Sequence, residues 1–189
     1  LAVGVARNTF QKTYEASVKA RLLRQSGTIP VSITGYSALA CNGLRWAEPD
    51  RENLFRSRLS YTHQLVIARK FSSKFSAALT PSVVHRNLVA TPQDEHDEFL
   101  LGAGGRYKVT NRVSVNGEYF LRLNPSEAYN NSLSLGVDIE TGGHVFQLHV
   151  TNSQGMFERA FLTETAGKWS DGNIYFGFNL SRVFTVSDR

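Results

Sequence analysis

From Phe99 to Arg122 the chain reads FLLGAGGRYKVTNRVSVNGEYFLR, and the fold turns on how its apolar residues are spaced. Phe99, Leu101, Ala103, Tyr107 and Val109 share one parity, with Arg106 and Lys108 on the other. Beyond Thr110 and Asn111, Val113, Val115, Tyr119 and Leu121 alternate with Arg112, Ser114, Asn116, Glu118 and Arg122. A period of two places apolar and polar side chains on opposite faces of a strand. Two such runs joined at Thr110–Asn111 read as a hairpin.

The same alternation extends in both directions. Ala16, Val18, Ala20 and Leu22 oppose Glu15, Ser17, Lys19 and Arg21. From Phe55, the residues Leu59, Tyr61, Leu65 and Ile67 oppose Arg56, Arg58, Ser60, Thr62 and Gln64. Phe75, Ala77, Leu79 and Val83 follow; then Leu133, Leu135, Val137 and Ile139 alternate with Ser132, Ser134, Asp138 and Glu140. Phe146, Leu148 and Val150 face away from Gln147, His149 and Thr151, and Phe176, Phe178 and Leu180 complete the series. With weaker runs over 1–7 and 31–41, about ten strands are expected, most near the ~9–11 residues that cross a bilayer when tilted.

Tight connections are expected near Gln25–Thr28, Arg69–Phe71, Thr110–Asn111 and Thr141–Gly143. Long ones are expected through Asn42–Asn53, Asn87–Asp97, Leu123–Asn130 and Ser153–Asp171. Short turns alternating with long loops characterise an outer-membrane barrel, with the turns periplasmic. Alternation alone fits a water-soluble barrel too; strand length and loop asymmetry favour the membrane. The expected fold is therefore all-β, one domain over 1–189, an antiparallel up-and-down transmembrane β-barrel. Phe55, Phe71, Tyr107, Tyr119 and Tyr175 lie near strand ends, where interfacial aromatic girdles form.

No apolar run approaches the ~18 residues of a membrane helix. A net charge of +5 raises the question of nucleic acid, but the 21 basic residues are interspersed with 16 acids, so no such partner is expected. Cys41 is the single cysteine, which excludes an intrachain disulfide and a cysteine zinc cage.

Several segments carry a family resemblance: LLRQ at Leu22–Gln25, RLSYTHQLVIARKFS at Arg58–Ser72, HRN at His85–Asn87, GGRYK at Gly104–Lys108, TGGHVFQLHVTNSQGM at Thr141–Met156 and FGFNLSRVF at Phe176–Phe184. Together they resemble a β-barrel family of Bacteroidota-type bacteria known as a domain of unknown function. The resemblance implies an outer-membrane location. It also implies further N-terminal sequence, two more strands that would bring the count to twelve. Phe184 would then stand where such chains often end on an aromatic residue, although Thr185–Arg189 follow it. The family brings no catalytic or binding residues to this chain.

The polar parity supplies the candidate site. Lys19, Arg21, Arg56, Arg58, Arg106, Lys108, Arg112, Glu118, Arg122, Asp138, Glu140, Gln147 and His149 are expected to line a lumen. Rings of charge can select ions in a pore; opposite charges can equally cross-pair and fill a small barrel. A narrow or plugged lumen is the expectation. His144 and His149 have opposite parity and cannot share one metal ion, so no metal or cofactor is expected. His85 is expected at the outer rim, and His63 falls on the apolar parity unless a bulge shifts its phase. No nucleophile motif lies beside His63 or His149, so no enzyme is expected. The acidic stretch Asp94, Glu95, Asp97, Glu98 reads as a loop. Two functions follow: a porin-like narrow channel or transporter carried by the lumenal charges, or a non-conducting barrel that anchors a multi-protein complex. In the second, Trp46, Pro49 and the loop Met156–Trp169 would make the contacts. Partners would be membrane lipid or lipopolysaccharide, with other outer-membrane or periplasmic proteins.

Overall fold

The computed structural model describes residues 1–124 and 128–184. Among these residues, ten strands form a single sheet in chain order. They are β1 (Ala2–Arg7), β2 (Tyr14–Leu23), β3 (Ser32–Cys41), β4 (Leu59–Lys70) and β5 (Phe75–Arg86), followed by β6 (Asp97–Lys108), β7 (Val113–Arg122), β8 (Ser132–Glu140), β9 (His144–Thr151) and β10 (Tyr175–Arg182). Each pairs antiparallel with its chain neighbours, the up-and-down order the alternation predicts. Among the described residues, no helix is long and apolar enough to cross a membrane. The short helix α1 (Glu158–Thr163) lies in the connection between β9 and β10.

Register carries the parity from strand to strand. Ala77 pairs with Gly105, Gly105 with Gly117, Gly117 with Leu135, Leu135 with Val150 and Val150 with Phe176. The adjacent rows of opposite parity hold Ser76, Arg106 and Asn116. Large apolar side chains on the first parity stay exposed: Phe99, Tyr107, Leu135 and Phe178 are examples. Buried residues such as Ser60, Thr62, Ser114 and Ser132 belong to the second. The polar face is thus the enclosed one, the inverse of a water-soluble barrel. The sheet curls, because residues from β4 through β10 line one common cavity. Its edges, β1 and β10, are not paired with each other.

Short turns at 71–74, 109–112 and 141–143, with a longer one at 24–31, occupy one end. Connections 42–58, 87–96, 123–131 and 152–174 occupy the other, together with 8–13. Residues 125–127, inside the third of these, and 185–189, after Phe184, lie outside the described residues. Gly142 has φ +71, the left-handed conformation that a tight turn asks of glycine.

Two sequence expectations change here, and a third holds. Arg56 and Arg58 precede the strand: Phe55–Arg58 is a 3-10 turn, closed by the Ser57 amide on the Leu54 carbonyl. Arg58 then donates to the Asn42 carbonyl at 2.8 Å and stacks over Trp46, so local bonds to the 42–46 segment override the alternation. Arg112 lies in the turn before β7, not in the strand. His63 keeps its outward phase with no bulge in β4; Ser37 on β3 bonds its Nδ1 at 2.9 Å, so two polar groups satisfy each other on the apolar face.

Candidate functional site in the barrel interior

The concave face is filled from the loop end by the 152–174 connection. Leu162 of α1 is fully buried against Val84, Leu100 and Phe120, while Phe161 meets the Phe120 ring edge-on at 5.5 Å. On the other side of the helix, Phe157 and Ala160 pack on Ala40 and Phe10. Both of these apolar clusters depend on α1. Small inward residues make room for it: a side chain at Gly102 would overlap the Phe120 ring.

Around this contact lies a buried ionic network. Glu98 on β6 binds the guanidiniums of both Arg86 on β5 and Arg122 on β7. Arg122 also donates to the Thr163 carbonyl at 2.6 Å, tying β7 to the C-terminal end of α1. Arg159 of α1 binds Glu164 at 2.7 Å, and Glu164 lies 3.7 Å from Arg86. Gln11 closes the ring, donating to Glu164 at 3.0 Å and accepting from Arg159. Burial lowers the Arg159 pKa from its ordinary value; Glu164 opposes the shift and Arg86 adds to it. Charges so enclosed persist only when paired and hydrogen-bonded. The network is therefore a lock whose parts come from three strands, the 8–13 connection and the helix.

Beneath α1, toward the turns, is a cavity of about 480 Å³. Its charged lining is Arg106, Glu118 and Asp138, with Gln147 and His149 beside them. Arg106 donates to Glu140 at 2.7 Å and lies 3.6 Å from Asp138; Gln147 donates to Asp138 at 3.1 Å. Cross-pairing thus occupies part of the charge. His149 approaches the sulfur of Met156 at 3.3 Å, a contact between the wall and the 152–174 connection.

Ten of the thirteen residues expected in a lumen share this inner face: Lys19, Arg21, Arg106, Lys108, Glu118, Arg122, Asp138, Glu140, Gln147 and His149. Arg56, Arg58 and Arg112 do not. His144 and His149 point to opposite faces, His144 against Phe146 and His149 inward. Among the described residues, no group of three or more His, Cys, Asp or Glu is placed to hold a metal ion. His85 pairs with Asp97 at 2.8 Å at the loop end. The acidic stretch is split: Asp94 accepts from Thr91 in the loop, Asp97 takes His85, and Glu98 turns inward.

A curled, up-and-down sheet with an apolar exterior and a polar interior is what a membrane barrel requires. A family model described as a membrane bound beta barrel domain (DUF5777) matches residues 1–184. The chain belongs to that family. No curated protein and no solved structure matches it. As a DUF5777 barrel it is membrane-bound, and the exposed Phe, Leu and Tyr side chains of its strands are then the lipid-facing surface.

Sequence reasoning missed Arg86, Glu98, Arg159, Glu164 and Gln11, which make the lock in this DUF5777 barrel. Parity does place Arg86 and Glu98 inward, opposite His85 and Phe99. Nothing periodic marks Arg159, Glu164 or Gln11, because they lie outside the strands.

Proposed function

We propose that the protein is an outer-membrane β-barrel that conducts small polar solutes, with α1 as a plug that closes the loop side of its lumen. The observation that carries this reading is the pairing of a polar, charge-lined cavity with a helix locked above it. A barrel built only to anchor would gain more from an apolar, filled interior, because charges in low dielectric are costly. In the bilayer the seam between β1 and β10 must be closed, since unpaired strand edges are not tolerated in hydrocarbon. The outer-membrane location rests on the strand architecture, because closed barrels with short turns at one end and long loops at the other are built in that way.

Planar-bilayer recording tests the conduit. The protein as it stands is expected to be silent for most of the record. Replacing residues 156–166 with a short glycine-serine linker is expected to give stable conductance steps. A plugless barrel that still folds but stays silent would reject conduction.

One observation favours the scaffold reading instead. The 42–58 loop presents Leu44, Leu54 and Phe55 to solvent, and Phe55 is 69% exposed. Such a patch suits a protein partner. The other loop assigned to that role, Met156–Trp169, spends Phe157, Ala160 and Leu162 on the interior, so the scaffold contact would fall on 42–58 alone. A co-purifying protein lost on Phe55→Ser, together with a silent plugless barrel, would support it.

A further inference from the structure

The lipid-facing surface is not uniformly covered. Along the paired outward row of Ala77, Gly105, Gly117, Leu135, Val150 and Phe176, the β5–β7 end carries only small residues. The neighbouring row on the turn side begins with Phe75, Tyr107 and Val115, all large and all exposed. Missing side chains at Gly105 and Gly117 therefore leave a trough of about 580 Å³, lined almost wholly by carbon. Neither glycine has a positive φ, and a Cβ at Gly105 would meet atoms no closer than 3.8 Å. The backbone does not require glycine at Gly105. The trough does.

Charge lies beyond that row, in the turns. Within the four turns and two residues on either side, the cations are Arg24, Arg69, Lys70, Lys74, Lys108 and Arg112, and the only acid is Glu140. Glu140 is held by Arg106. Lys74 and Arg112 form no ion pair among the described residues. They flank the end of the β6–β7 hairpin, whose Lys108 amide bonds the Lys74 carbonyl at 2.8 Å. The loop side differs, with Glu48, Asp50 and Glu52 beside Arg45 and Arg51. A one-signed basic belt at the membrane surface attracts anionic headgroups, and a smooth apolar trough takes a chain without polar groups.

We propose that this trough binds one anionic phospholipid of the leaflet the short turns face, its acyl chain over Gly105 and Gly117 and its phosphate held by Lys74 and Arg112. The proposal rests on the membrane reading but not on conduction, so a silent barrel leaves it intact. Charge and shape both enter: cations alone would gather any anion loosely, and the trough alone would accept any lipid.

Native mass spectrometry of the full chain, folded in neutral detergent, tests it by counting bound lipids. The probes are dioleoylphosphatidylglycerol and dioleoylphosphatidylcholine, titrated separately. One phosphatidylglycerol is expected to be retained in preference to phosphatidylcholine. Lys74→Gln and Arg112→Gln lie in exposed turns and should each weaken it about fivefold, the worth of one cation near a charged lipid surface. Gly105→Leu fills the trough without backbone strain and should weaken it with every cation in place; Gly105→Val serves if that variant does not fold. Equal retention of the two lipids would overturn the proposal. So would a loss on removing the cations that Gly105→Leu does not reproduce, since attraction would then be diffuse rather than a site.

Discussion

Glu98 is the residue on which the lock turns. Its two oxygens serve two guanidiniums, Arg86 and Arg122, and its side chain is only 4% exposed. Removing it leaves two arginines buried without their shared carboxylate. Glu98→Ala should therefore cost about 3–5 kcal/mol, the range for breaking a buried pair, read as a lower urea midpoint in vesicles. Gln11 gives a finer test, because it sits at φ 53, a left-handed conformation unfavourable for a residue with a side chain. Its bonds to Glu164, Arg159 and Asn42 hold it there. Gln11→Ala loses those bonds and keeps the strain, whereas Gln11→Gly relieves about 1–2 kcal/mol of it. The glycine variant should unfold at higher urea than the alanine variant; the reverse order would show that the conformation carries no strain. Little of this was legible in the sequence. Parity placed Arg122 on the inner face, but long-range partners such as Gln11 and Glu164 come together only through the fold.

At the scale of elements, α1 is a six-residue helix that could not persist alone. Its order comes from Leu162 and Phe161 on one side and Phe157 and Ala160 on the other. Leu162→Ala should cost about 2–5 kcal/mol by opening a cavity where no exposed surface is available to relax. The loss should show as faster amide exchange across 152–174, while β6 and β7 remain protected. Gly102→Ala reaches the same contact from the wall: its methyl displaces Phe120, and the helix should loosen although it is untouched. The strands were legible because lipid on one side and a polar interior on the other impose a strict period of two. α1 was not, because six residues give less than two turns of helical period. The displaced Arg56 and Arg58 show the same limit: alternating letters continue past the point where the 3-10 turn begins, and Trp46 and the Asn42 carbonyl decide the geometry.

For the whole molecule, the two faces and two ends of the sheet are each distinct. Outside are large apolar residues and inside are paired charges; one end is short and basic, the other long and filled by α1. The membrane-facing assignment of parity underlies the plug, the cavity and the lipid trough alike. The most direct test is a spin-label scan of single cysteines along β7, Val113 to Arg122, in Cys41→Ser protein reconstituted in vesicles. Accessibility to oxygen, which partitions into lipid, should peak at Val115, Gly117, Tyr119 and Leu121 and fall at Ser114, Asn116, Phe120 and Arg122. Peaks for a water-soluble nickel chelate at Val115, Tyr119 and Leu121 would contradict the account, because the apolar face would then meet water and not lipid.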